Sequence, residues 1–193
     1  MKYYLDITLL PDAEVNLGFI WKNVYQQIHI ALVDNKTANG SSAIAVSFPE
    51  YGNKKYPLGA KLRLLAKTEE QLNKLDAPKW LNRLTDYSHI TSIKEVSLPV
   101  ERFVCFKRQQ FNTNIERLAR RRVKRKSETL EQALKYYKGF EGEESTLPFV
   151  NMKSLTKDEK FQLFVNKCLT DKSVSGEFNC YGLSKDQATI PWF

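Results

Sequence analysis

Two histidines, His29 and His89, and one dense run of cations, Ile115–Lys126, are where this sequence could do chemistry. Neither histidine stands in a metal-type motif such as His-Glu-x-x-His, and two imidazoles alone do not hold a metal. No Gly-Lys-Ser/Thr phosphate loop and no Gly-x-Ser-x-Gly elbow is present, which argues against nucleotide hydrolysis and ordinary acyl transfer. What remains is acid–base chemistry without a cofactor. His29 lies near the end of a helical stretch, four residues after Tyr25. A lone histidine is more often an ordinary surface or core residue. It becomes a candidate base if the chain binds RNA, which carries its own nucleophile, the 2′-hydroxyl; a single imidazole of near-neutral pKa can take that proton without a metal. His89, in Asp86-Tyr87-Ser88-His89 at the start of a strand, reads as structural.

The basic run supplies the reason to think of a polyanion. Between Arg117 and Lys126 seven of the ten residues are basic, none is Gly or Pro, and Val123 is the one β-branched residue, so the stretch is a helix. Asn114 is the expected N-cap, with Arg117 at the third position, where a capping box would have Glu or Gln. At about 100° per residue, Arg117, Arg120, Arg121, Lys124 and Arg125 share one face, and Ile115, Leu118, Ala119 and Val123 the other. A merely solvated helix intersperses Glu one turn away to relieve repulsion; here Glu116 and Glu128 sit only at the two ends. Arginine dominates within the run, and its planar fork suits phosphate. The whole chain carries a net charge of +8, with a pI near 9.3, and much of that excess sits in this helix. The inference is nucleic-acid binding.

The elements that must position these groups can be read in order. Residues 2–10 alternate as a strand and carry Asp6, so they are not a signal peptide. Residues 17–33 have helical spacing with Phe19, Ile20, Val24, Ile28, Ala31 and Leu32 on the apolar face; 34–42 is a polar loop; 43–48 and 62–66 are strands. Residues 68–84 are helical, interrupted by Pro78, and 90–98 returns as a strand stopped by Pro99. The order β-α-β-β-α-β is the ferredoxin-like split βαβ unit. Its sheet lacks the aromatic signature that stacks bases, so the sheet is not expected to be the binding surface. Beyond it, 102–111 is strand-like and leads into the basic helix, 130–137 is a second helix capped by Ser127-Glu128, and 139–146 is a loop. Residues 148–150 and 161–165 form a hairpin, 178–184 is a last strand, and the apolar end Ile190-Pro191-Trp192-Phe193 tucks into the core. The expected class is α+β: an N-terminal ferredoxin-like domain, 1–98, followed by a smaller α+β domain, 99–193, carrying the arginine-rich helix. The 193 residues contain no stretch near the ~20 apolar residues of a membrane span. Cys105, Cys168 and Cys180 form neither a disulfide framework nor a zinc pattern and read as core or half-buried thiols of a reducing cytoplasm.

Several short segments then join in one order and spacing: Tyr4-Leu5-Asp6-Ile7 with Pro11-Asp12, His29-x-Ala31-Leu32-Val33, Val46-Ser47-Phe48-Pro49, and Glu116-Arg117-Leu118. Leu147-Pro148-Phe149-Val150, Cys180-Tyr181-Gly182-Leu183-Ser184 and Pro191-Trp192-Phe193 continue the series. Over nearly the whole chain the sequence resembles the type I-F CRISPR pre-crRNA-processing endoribonucleases. The resemblance implies that His29 is the catalytic base, that Ser154 holds the 2′-hydroxyl, and that Tyr181 orients the histidine. It implies that Arg108 and Gln110 read bases near the foot of an RNA stem and that Phe161 supports the base pair at the cut. Arg120, Arg121, Lys124 and Arg125 correspond to phosphate-contacting residues, and Arg117 shares their face. Lys124 and Lys126 stand where the family pattern has Arg and His, which keeps the charge and loses the fork. Thr156, two residues from Ser154 on the same strand face, could share its role.

The resemblance further implies a repeat-RNA hairpin as substrate, cut at the 3′ foot of its stem by attack of the 2′-hydroxyl. The ends would be a 2′,3′-cyclic phosphate and a 5′-hydroxyl, with no metal or other cofactor. The family keeps hold of its product, the crRNA 3′ stem-loop, so the other protein subunits of the type I-F interference complex are implied partners, and a membrane is not. An A-form major groove is too deep and narrow for side chains to read bases, so the helix should touch phosphates. Base reading falls to the stem's end, where Arg108 can grip the O6/N7 edge of G and Gln110 the N6/N7 edge of A. Two other readings stay open at this point: a non-catalytic RNA-hairpin-binding protein, and a DNA-binding module that uses the basic helix. The plain DNA binder has no use for His29 together with Ser154.

Overall fold

The structure, a computed structural model, describes residues 1–111, 115–137 and 146–193, with the backbone alone at 115–117. The expected N-cap Asn114 and most of the expected 139–146 loop lie outside the described residues. The chain is α+β. Its first part runs β1 (Tyr3–Leu9), α1 (Leu17–Asp34), β2 (Ala45–Ser47), β3 (Lys61–Ala66), α2 (Glu69–Leu75), α3 (Ala77–Trp80), β4 (Ser88–Ile90) and β5 (Lys94–Glu95). The sheet order is β2-β3-β1-β4, antiparallel throughout, with β5 also on β1. That is the ferredoxin-like order, with β4 and β5 as two pieces of the single strand expected over 90–98.

Alternation in β1 decides which side chains go where. Leu5, Ile7 and Leu9 are buried in one core with Ile20, Val24, Ile28 and Leu32 of α1. Each such fully buried side chain is worth about 1.5–3 kcal/mol. Asp6 alternates to the other face, where it lies opposite Arg63 of β3. The two form a bidentate pair at 2.6 and 2.9 Å, only 8% and 7% exposed, and Arg63 also donates to the carbonyl of Phe193 at 2.8 Å. The guanidinium lies 4.0 Å from the Phe193 ring centroid and 4.5 Å from that of Tyr4. The sheet face that carries this pair is therefore occupied by the end of the chain.

Several local expectations need correcting. Phe19 is 55% exposed and is not part of the apolar face of α1, because it sits in the first turn, where Asn16 caps the helix through the Phe19 N–H. The helix expected over 68–84 breaks at Asp76, whose positive φ of 50° closes α2 and whose side chain caps α3, with Pro78 in the first turn of the new helix.

The second part begins with β6 (Phe103–Gln109), followed by α4 (Ile115–Lys126) and α5 (Leu130–Tyr136), then β7 (Phe149–Lys153), β8 (Lys160–Thr170) and β9 (Ile190–Pro191). Its sheet order is β7-β8-β6-β9, and the expected hairpin is present, with Val150 opposite Leu163. The first sheet precedes the 98/99 position and the second lies beyond it. By packing, Met1–Arg108 and Pro148–Phe193 form one compact unit and Gln109–Leu147 another.

Residues 178–184 do not make a strand. Asn179 Oδ1 accepts the N–H groups of Tyr181 and Leu183 at 2.9 and 3.2 Å, and Gly182 adopts a φ of +73°, so the segment folds into a tight turn. The cap of α5 is Thr129, in a reciprocal box with Gln132, and not Ser127-Glu128. Ser127 instead has a φ of 51° and ends α4. Cys105 is buried and Cys180 half-buried, but Cys168 is exposed.

Candidate active site

Within the larger unit, α1 delivers His29 into the 179–182 turn. The ring is 6% exposed, and its Nδ1 lies 2.9 Å from the carbonyl oxygen of Cys180. A carbonyl can only accept, so Nδ1 carries the proton and Nε2 keeps its lone pair. The Tyr181 ring stacks on the imidazole at 4.3 Å between centroids and 9° between planes. Burial lowers the pKa of His29. The bond to Cys180 opposes that shift, and the nearby Arg108 charge adds to it. The net effect favours a neutral imidazole with one nitrogen available as a base.

Arg108 and Phe161 complete the cluster. The Arg108 guanidinium, at the end of β6, lies 5.1 Å from the Tyr181 ring centroid and 5.4 Å from that of Phe161. Phe161 of β8 meets Tyr181 edge to face at 6.4 Å. Arg108 Nε is buried and has no hydrogen-bond partner among the described residues. Burial raises the pKa of the Tyr181 hydroxyl, while Arg108 pulls it back through its charge and a hydrogen bond. Tyr181 is thus a neutral phenol wedged between a cation and an imidazole.

Ser154 lies just past β7, in a turn and not on a strand face as expected for the Ser154–Thr156 pair. Its Oγ accepts the N–H of Lys157 at 3.3 Å and of Thr156 at 3.4 Å, and the Thr156 hydroxyl is 3.4 Å away. β7 packs on α1, and the N–H of Lys153, next to Ser154, donates to Gln26 Oε1 at 2.9 Å. The helix that carries His29 therefore also anchors the residue before Ser154. Gln26, Tyr25, Asn179 and Gly182 bond or shape the segments that carry these groups, and none of them was assigned a part in the site from the sequence. The usable signals were the four-residue spacing of Tyr25 and His29 and the Asn-x-x-Gly turn.

Residues Gln109–Leu147 make up the smaller unit. In α4, Arg120, Arg121, Lys124 and Arg125 are exposed, Leu118 and Val123 are half-buried and Ala119 is buried; the side chain of Arg117 lies outside the described residues. Arg122, which is not on the expected phosphate face, makes a bidentate pair with Glu128 at 2.7 and 3.1 Å and stacks on Tyr136 at 3.7 Å. It fastens α4 to α5. Gln110 comes just after β6 and is exposed, and His89 is exposed on β4.

Among the described residues no group of three or more His, Cys, Asp or Glu stands together in a way that could hold a metal ion. Nor is any described helix long and apolar enough to cross a membrane.

The fold and the imidazole cluster together define an α+β protein built on a ferredoxin-like domain, with a buried histidine where the first helix meets the 179–182 turn. The family model of the CRISPR-associated protein Cas_Csy4 matches residues 4–193, and the chain belongs to that family. The CRISPR-associated endonuclease Cas6/Csy4 of Escherichia coli (strain UTI89 / UPEC) is 36% identical over 194 residues, covering 100% of both chains. That of Pseudomonas aeruginosa (strain UCBPP-PA14) is 34% identical over 194 residues, again covering 100% of both. A solved RAMP protein described as binding different RNA substrates aligns over 100% of both chains at 13% identity and a TM-score of 0.29, a likeness too slight to argue from.

Proposed function

We propose that this protein is a sequence- and structure-specific endoribonuclease that cleaves CRISPR repeat hairpins in precursor crRNA, at the 3′ foot of the stem, by attack of a ribose 2′-hydroxyl. The observation that carries the reading is the commitment of His29 Nδ1 to the Cys180 carbonyl, which leaves Nε2 as the base. Nε2 takes the 2′-hydroxyl proton, and Ser154 holds that hydroxyl in line. The O2′–P bond forms and the P–O5′ bond breaks. The leaving 5′ oxygen takes a proton from solvent, giving a 2′,3′-cyclic phosphate and a 5′-hydroxyl. No metal takes part in these steps. General-base catalysis supplies about 10²–10⁴-fold, so alignment must supply much of the remainder.

In this reading Tyr181 holds the imidazole plane, Phe161 supports the base pair at the cut, and Arg108 and Gln110 read bases at the foot of the stem. Arg117, Arg120, Arg121, Lys124 and Arg125 attract the stem's phosphates, and the product stem-loop stays bound for the other subunits of the type I-F interference complex. The ferredoxin-like half, 1–98, contributes the base, and 99–193 contributes the RNA-holding helix and the remaining site residues. The family membership and the endonuclease relatives support the reading. The test compares wild type with His29→Ala on the cognate repeat hairpin. Cleavage by the first alone, with equal binding by both, supports the reading. Binding without cleavage by either protein would make the chain a hairpin cap.

A further inference from the structure

Tyr25 precedes His29 by four residues, so both side chains project from the same side of α1. Both are buried, Tyr25 to 1% exposure. The Tyr25 hydroxyl donates to the carbonyl of Tyr181 at 2.9 Å, and His29 Nδ1–H donates to the preceding carbonyl, that of Cys180, also at 2.9 Å. Two successive carbonyls of one turn are gripped by two successive rungs of one helix. The turn's other bonds do different work. Asn179 fixes its internal shape through the Tyr181 and Leu183 N–H groups. The Gly182 carbonyl ties it to β2 by accepting from Val46 N–H at 2.8 Å. Neither bond reaches α1. Burial holds the Tyr25 phenol un-ionised, so it is a permanent donor.

We propose that Tyr25 is a positioning residue for the cleavage reaction: by holding the Tyr181 carbonyl it fixes where the Cys180 carbonyl and the Tyr181 ring meet His29, and so keeps Nε2 as the free nitrogen. Tyr25 touches no reacting atom and acts through the imidazole. The catalytic half of the proposal rests on His29 being the base; the tautomer half does not. Free imidazole favours the opposite tautomer, with the proton on Nε2, and that form cannot accept a proton there. A small misplacement of a catalytic group can cost up to about 10²-fold in rate.

The test is Tyr25→Phe, which keeps the ring against Trp21 and Phe48 and removes one hydroxyl. Two readouts are taken: the single-turnover cleavage rate of the cognate repeat hairpin, and the nitrogen NMR shifts of His29 in the free protein. The expected result is a rate lowered by about tenfold with unchanged hairpin affinity, together with appearance of the Nε2–H tautomer. A wild-type rate and an unchanged Nδ1–H tautomer overturn the proposal, and they do so even if the melting temperature falls, since that would mark a packing role alone. Should wild type fail to cleave any repeat hairpin, the functional reading falls separately, and the tautomer shift alone decides whether Tyr25 positions the imidazole.

Discussion

The rings of His29 and Tyr181 lie face to face, 4.3 Å apart and 9° from parallel, although 152 positions separate them in the chain. The stack shields one face of an imidazole whose pKa burial and Arg108 both lower. A lowered pKa keeps the base form populated to more acidic pH, so the acid limb of the cleavage rate should fall below the ordinary histidine range. Arg108→Gln removes a repelling charge and opens the cluster, and both changes raise the pKa; the limb should move to higher pH. The pH–rate profiles of the two proteins check this, and an unmoved limb would detach Arg108 from the imidazole. The same shift acts on folding. The unfolded chain binds this proton more readily than the folded one, so stability is lost as pH falls through the ordinary imidazole range toward the lowered value.

Gly182 can be neither bulky nor right-handed. At its φ of +73° a Cβ would stand 2.4 Å from Val46 Cγ2. Gly182→Ala should cost about 2–5 kcal/mol, combining left-handed strain with overpacking against β2. Urea unfolding measures it. Because the turn also holds Cys180 and Tyr181, cleavage should fall along with stability.

Much of this was legible in the sequence, and the misses have physical causes. The alternation of β1 and the periodicity of α1 gave the two elements and put His29 near the end of the helix; that its ring is buried is a finding of the structure. The partners of His29 were not legible from local pattern, because they come from 151 and 152 residues away in the chain. Residues 178–184 were expected as a last strand; Asn179 bonding its own backbone and Gly182 at positive φ turn the chain back instead. Ser154 lay in the same blind spot, since its hydroxyl organises a turn at the end of β7. On the basic helix, periodicity separated Arg122 from the phosphate set, but only the structure supplies Glu128 and Tyr136 as its partners.

Neighbouring arginines of that helix should therefore behave differently. Arg121→Ala should leave the melting temperature unchanged, weaken hairpin binding regardless of sequence, and lower the salt slope of log K by about one. Arg122→Ala should loosen the α4–α5 junction, seen as lost helical signal and a lower melting temperature. Equal effects of the two on both measurements would contradict the assignment.

Gln26 anchors the residue before Ser154 by accepting the Lys153 N–H. Gln26→Ala should slow single-turnover cleavage by about tenfold while hairpin affinity holds. Gln26→Glu retains an acceptor and should restore most of the rate. If the Glu variant is as slow as the Ala variant, the hydrogen bond is not what matters.

In the proposed reaction the nucleophile belongs to the RNA, so removing one 2′-hydroxyl should abolish it. The protein is incubated in EDTA with the cognate repeat hairpin, either all-ribose or carrying one 2′-deoxy nucleotide just upstream of the cut. The expected result is cleavage of the first to a 2′,3′-cyclic phosphate, and tight binding without cleavage of the second. Cleavage of the deoxy hairpin, or loss of all cleavage in EDTA with recovery on adding a divalent cation, would contradict it.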